Sequence, residues 1–127
     1  MTRDERTVRQ LFAALDSGDI ASALGLMTED VAFRVGSAKP TIGKPAIEAN
    51  ATAMASVVES LSHHLYSVWT VEQSEPVVLC EMAVTYRRYD GSQVTLPCFN
   101  VFRLQRGRVA DYRIYMDVNP VFVIEGV

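Results

Sequence analysis

The residues whose type and place could do chemistry are few, and most lie in the second half of this 127-residue chain. Asn100 interrupts an apolar run, where an amide can donate a hydrogen bond to a carbonyl or enolate oxygen. Left alone there it would cost about 1–3 kcal/mol, so it requires a ligand or a protein partner. Histidine as a residue type can serve as a general acid/base, which makes His64 a candidate, although a histidine opening a strand beside a second one, His63, also suits a partly exposed structural role. Asp117 is a carboxylate closing the last strand, before Asn119-Pro120. Tyr86 and Tyr112 can reach a ligand oxygen or serve as packing with a wet tip.

Other chemistries lack their residues. Cys80 and Cys98 are too far apart for a CxxC motif, and His63 and His64 are adjacent rather than four apart, so no metal site is expected. There is no GxGxxG, no GxxxxGK[ST] and no GxSxG, which leaves nucleotide and serine-hydrolase readings unsupported; no cofactor is expected. A formal net charge of -3 with scattered Lys and Arg gives no footprint for nucleic acid. No apolar stretch approaches the roughly 18 residues of a membrane span, and the charged start Thr2-Arg3-Asp4-Glu5-Arg6 is unlike a secretory signal. The expected setting is the cytoplasm, where Cys80 and Cys98 would stay reduced and pack as small hydrophobes.

The length suits one domain, taken as residues 1–127. Thr2 to Glu5 spells a capping box, and Val8, Leu11, Phe12 and Leu15 follow at helical spacing until Gly18. Asp19 can cap a second helix with Ile20, Ala23, Leu24 and Met27 on one face, before Val31, Phe33 and Val35 alternate as a strand. Pro40 and Gly43 mark a loop. A third helix opens at Lys44-Pro45 and carries Ile47, Ala51, Met54, Val58 and Leu61. Long alternating runs then cover about 64–72, 76–89, 92–105 and 108–118, with turns at Ser74-Glu75-Pro76, Asp90-Gly91 and Arg106-Gly107. Helices first and antiparallel strands afterwards indicate an α+β fold.

The side chains fix the register. A three-residue Tyr89-Asp90-Gly91 loop with left-handed Gly91 sets Arg88 opposite Ser92, and gives Val78, Cys80, Met82, Val84 and Tyr86 a common face with Leu96, Cys98, Asn100 and Phe102. A two-residue Asp90-Gly91 turn would mix the faces. Tyr112, Ile114 and Met116 join the apolar face, which directs Asp117 outward. With Phe12, Leu15, Phe33, Met54 and Val58 from the earlier elements, this face is expected to line an apolar pocket for a small hydrophobic molecule. Outward Leu79, Phe99, Val101 and Tyr115, with the tail Val121-Phe122-Val123-Ile124, supply more apolar surface than a solvated sheet needs; a homodimer through that face is the simplest partner.

Ala13-Ala14-Leu15-Asp16-Ser17-Gly18-Asp19, Asp30-Val31-Ala32-Phe33 and Gly43-Lys44-Pro45-Ala46-Ile47, in this order, resemble the nuclear transport factor 2-like superfamily. Tyr89-Asp90-Gly91, Phe99-Asn100-Val101-Phe102-Arg103 and Tyr112-Arg113-Ile114-Tyr115-Met116-Asp117 look like its SnoaL-like group of polyketide cyclases and relatives of ketosteroid isomerase and limonene epoxide hydrolase. The resemblance implies a cone-shaped fold, three N-terminal helices on a curved, mainly antiparallel sheet, with a hydrophobic pocket at its wide end and frequently a dimer through the outer face. The family's chemistry does not transfer intact. The isomerase tyrosine, base and oxyanion positions fall on Leu11, near Val35 and on Asn100, and the epoxide hydrolase positions on Met82, Val84 and Ile114. The resemblance implies isomerase- or cyclase-type chemistry on a carbonyl compound, with Asn100, His64 and Asp117 as the candidate polar residues, or else a non-catalytic binding or dimerisation module.

Overall fold

Helix α1 (Arg3–Asp16) begins where the capping box predicts, with Thr2 Oγ1 accepting the Glu5 N–H at 3.0 Å. Its apolar stripe buries Val8, Leu11 and Phe12. The computed structural model describes residues 1–122. Asp19 caps α2 (Ile20–Gly25), accepting from Ser22 N–H at 3.1 Å. This helix has only six residues, so two long helices stand where three were expected: α1 and α3 (Lys44–Ala55). Met27, expected on α2, instead opens strand β1 (Met27–Val35), because the backbone there leaves the helix to pair with a strand from the other end of the chain.

The six-stranded sheet adds β2 (Thr41–Ile42), β3 (Val58–Val71), β4 (Val77–Arg88), β5 (Gln93–Gln105) and β6 (Arg108–Tyr115), ordered β2-β1-β6-β5-β4-β3. All its pairings are antiparallel except β1 with β6, which is parallel. The short β2 lies in the stretch expected to be a loop. A last short helix, α4 (Asn119–Phe122), occupies part of the apolar tail and buries Val121, while Val123 and Ile124 fall outside the described residues. Arg88 fastens α4, donating from Nε to the Val121 carbonyl at 3.2 Å and from Nη2 to the Pro120 carbonyl at 2.8 Å.

The largest departure from the sequence reading is the boundary after α3. Val58 and Leu61 fit a helical stripe with Met54, yet the helix stops at Ala55, Ser56 Oγ donates to the Ala53 carbonyl, and Val58 already pairs with Arg88. The β-branched pair Val57-Val58 favours the strand, and the sheet supplies the partner. Between β4 and β5 the three-residue loop is present: Gly91 has φ +87°, and the Arg88 N–H donates to the Ser92 carbonyl at 2.8 Å. Consequently Val84 faces Leu96, Met82 faces Cys98, Cys80 faces Asn100 and Val78 faces Phe102.

Candidate functional site

Cross-strand pairing arranges the inner face in rows. The most deeply buried contains Val78, Phe102, Tyr112 and Phe33; the next contains Cys80, Asn100, Ile114 and Val35. Beyond them come Met82 with Cys98, then His63, Val84 and Leu96, and finally Leu61, Tyr86 and Val94. α1 lies against this face, with Phe12 touching both Phe102, at 5.6 Å between ring centroids, and His63, at 4.6 Å.

The structure gathers the expected pocket residues into one packed cluster. Phe12, Phe33, Val58, Met82, Val84, Tyr86, Cys98 and Tyr112 are buried, and Leu15, Met54, Leu96, Ile114 and Met116 are half-buried against them. Here they pack on one another, and of two surface grooves among the described residues one runs elsewhere and the other touches only the edge of this cluster. One, of about 780 Å3, lies by Ser74-Glu75-Pro76 and the β5–β6 turn. The other, of about 550 Å3, crosses the outer positions Tyr66, Glu81, Phe99 and Tyr115 and reaches Met82, Cys98, Met116 and Asp117.

Asn100 is 1% exposed. Its Oδ1 accepts a hydrogen bond from the Cys98 thiol at 3.1 Å, while its Nδ2 has no hydrogen-bond partner among the described residues. Burial pushes the Cys98 thiol up to about 11 and that of Cys80 up to about 12, so both remain thiols at neutral pH and neither is a nucleophile. Burial likewise raises Tyr86 to about 12, its hydroxyl donating weakly to Met116 Sδ at 3.6 Å, and raises Tyr112 further.

The other two candidate acid/base residues are placed outside. His64 is exposed on the outer face, its ring edge-on to Tyr66 at 5.2 Å. Asp117 is exposed too, and its Oδ1 accepts the Asn119 N–H at 3.0 Å where α4 begins.

The inward histidine is His63. Asp16, at the end of α1, accepts the His63 backbone N–H at Oδ2, 3.0 Å, and faces ring Nδ1 with Oδ1 at 2.6 Å. The side chain of His63 is 9% exposed and that of Asp16 28%. An ionised carboxylate only accepts, so Nδ1 carries the proton and the lone pair of a neutral ring is on Nε2. Nε2 has no hydrogen-bond partner among the described residues. The sequence reading missed this pair because it began the strand at 64. A start at Val58 gives His63 the parity of Leu61 and Leu65, which is the signal that finds it.

Among the described residues no three His, Cys, Asp or Glu side chains converge as a metal site, and no helix is long and apolar enough to cross a membrane. The sequence matches the SnoaL-like domain family over residues 8–112. Similar solved structures include a nuclear transport factor 2-like protein of unknown function from Burkholderia pseudomallei, 16% identical over 96% of both chains with a TM-score of 0.82. TerC, co-crystallised with polyporic acid, is 15% identical over 95% of this chain and 96% of its own, with a TM-score of 0.80. An LEH-like epoxide hydrolase from M. tuberculosis is 18% identical over 94% of this chain and 86% of its own, with a TM-score of 0.78. At these identities the likeness establishes the fold.

Proposed function

Since the chain belongs to the family of SnoaL-like domains, we propose that it binds a small hydrophobic carbonyl compound between α1 and the inner face of the sheet, for isomerase- or cyclase-type chemistry. The observation that carries this reading is Asn100: an amide side chain, 1% exposed in an apolar surround, whose one side-chain hydrogen bond among the described residues is accepted by Oδ1 from the Cys98 thiol. A ligand carbonyl would give Nδ2 an acceptor, a hydrogen bond worth about 0.5–1.5 kcal/mol. Entry is from the Leu61–Tyr86–Val94 end, where the half-buried Met116, met by the Tyr86 hydroxyl at 3.6 Å, is flexible enough to make room. The fold supports such occupants elsewhere: TerC was crystallised with polyporic acid, and the M. tuberculosis relative is an epoxide hydrolase. His64 and Asp117 are exposed, outside this packed face.

Replacing Asn100 with Leu keeps the volume while deleting the amide. With 2-tetralone as probe, monitored through amide shifts of the protein, N100L is expected to lose about tenfold in affinity and to fold normally, consistent with about 1.4 kcal/mol for one hydrogen bond. Equal affinity in both proteins would refute the role of Asn100.

The second reading, a binding or dimerisation module without catalysis, is favoured by the packed interior and by the apolar residues at Leu11 and Val35. In either reading the outer face joins two copies: Trp69, Tyr66 and Tyr115 are exposed there beside half-buried Leu79, Phe99 and Val101. Sedimentation should give a dimer that W69E converts to monomer; a wild-type monomer at high concentration would contradict this.

A further inference from the structure

The outer face of the sheet holds an arginine cluster that neither the pocket nor the contact between copies uses. Arg34 and Arg113 are direct neighbours across β1 and β6, and in the row beside them Asp111 lies between Ala32 on β1 and Arg103 on β5. Arg34, Asp111, Arg113 and Arg103 alternate with the inward Phe33, Tyr112 and Phe102, so they share the opposite face. One row continues through Val77 and Val71, the other through Val101, Leu79 and Trp69, and in both together Asp111 is the single acid. Three guanidinium groups against one carboxylate leave an excess of two positive charges.

Asp111 is spent on Arg113, which donates from Nε to Oδ1 at 3.1 Å. Elsewhere Arg9 pairs with Glu5, Arg87 with Glu59, and Arg88 donates to the carbonyls of α4. Arg34 and Arg103 differ. Both are half-buried, and Arg34 Nε and Arg103 Nη1 are out of water with no hydrogen-bond partner among the described residues. A guanidinium keeps its charge and its donors at any physiological pH, so burying such a donor is costly until an acceptor reaches it. The two residues stand two strands and two positions apart, roughly 12 Å between Cα atoms, a gap that long side chains close from both sides. The acceptor that fits offers several oxygens and, to balance the cluster, two negative charges. A carboxylate has two oxygens and one charge, whereas a phosphate monoester has three free oxygens and up to two charges, matched to the guanidinium fork. Its organic group would lie along Val101 and Leu79, in the row of Arg34 and Arg113.

We propose that Arg34, Arg103 and Arg113 form a binding site for a phosphate monoester on the outer face, at the β1–β6–β5 side of the apolar patch. The site uses no residue of the inner face, so it stands or falls apart from the pocket.

The test is titration of the full chain with phenyl phosphate at pH 8, followed through the arginine Nε–Hε signals in 15N NMR, with inorganic phosphate and benzenesulfonate as companions. Phenyl phosphate should shift the Arg34 and Arg103 signals. It should bind at least about tenfold more tightly than the singly charged benzenesulfonate and about threefold more tightly than inorganic phosphate. Arg34→Gln and Arg103→Gln should each weaken binding at least about tenfold. Asp111→Asn should tighten it about threefold by removing the opposing charge. Arg87→Gln, on the same face beside Glu59, should leave it unchanged. No binding by wild type, equal affinity for benzenesulfonate, undiminished binding in both arginine variants, or weaker binding in Asp111→Asn overturns the site. Inorganic phosphate binding as tightly as phenyl phosphate overturns the monoester and assigns the site to the free anion. Binding by monomeric W69E but not by wild type overturns the proposal as well, because a second copy then covers the donors.

Discussion

At the Phe102 end of the inner face, Val78, Phe102, Leu104 and Val109 are out of water altogether, whereas at the Leu96 end Leu61, Val94, Leu96 and Met116 remain half-buried. The same strands run through both ends, so the difference lies in what covers them. Phe102 is enclosed by Phe12 and Tyr112, at centroid distances of 5.6 and 4.6 Å, with Phe33 packed on Tyr112 beyond at 5.3 Å. At the other end the flexible side chain of Met116 meets the Tyr86 hydroxyl, and Arg88 fastens α4, a single turn. Stability is concentrated where the aromatic rings interlock, and the adjustable side chains lie where Leu61, Val94, Leu96 and Met116 still meet water. An element that must admit a ligand is drawn from the less stable part of a fold.

The contrast can be broken most directly by truncation. Phe102→Ala should lose about 3–5 kcal/mol in chemical denaturation, because its neighbours are too interlocked to collapse into the void. Leu96→Ala should lose about 1–2 kcal/mol, since its side chain already meets water and gains less from burial. Equal losses would mean that both ends are equally well packed.

Alkaline titration sharpens the same contrast. Burial raises Tyr86 from 10.0 to about 12, Cys80 from 9.0 to about 12 and Cys98 from 9.0 to about 11. Each group is held in its protonated form more firmly in the fold than in the unfolded chain. Their contribution is therefore intact below about pH 9 and is lost as pH rises through the interval up to about 12. The denaturation midpoint should fall across that interval, and Tyr86→Phe should make the decline shallower. In a tyrosinate absorbance titration of the folded protein, Tyr86 should ionise before Tyr112, which burial raises further. Simultaneous ionisation of the two would erase the difference between the ends. The smallest effect belongs to Tyr86→Phe at neutral pH, where a lone hydroxyl donation to the Met116 sulfur is worth under about 1 kcal/mol.

Local signals in the sequence carried most of the β-hairpin and helix assignments. The Tyr89-Asp90-Gly91 turn determines the β4–β5 register because a side-chain period of two allows only one alignment that keeps Met82, Val84, Leu96 and Cys98 together. The start of α1 was legible because capping is a matter of neighbouring residues. What was not legible depends on distant partners. Met54, Val58 and Leu61 satisfy a helical period, while Leu61, His63 and Leu65 satisfy a strand period, and only the arrival of Arg88, Tyr86 and Val84 from β4 decides between them. That one boundary turned attention to His64 when the inward ring is His63. Asp16 and His63 are 47 residues apart, so no local pattern pairs them. Asn100, by contrast, stood out because a single amide breaks an apolar stripe.

The parallel pairing of β1 with β6 sets an order of events during folding. Helices α1 and α2 can form early, and the β3–β4–β5 meander can zip from its turns, since these contacts are local. β1 has only the two-residue β2 for a nearby strand partner, and its other edge can be filled by β6 alone. On a ribosome, Met27, Val31 and Phe33 therefore stay without their final neighbours until the last strand has emerged. Closure of the sheet is then a late step that unites both halves of the chain, and an interrupted chain lacking β6 would carry an unpaired apolar strand available to any other edge it met.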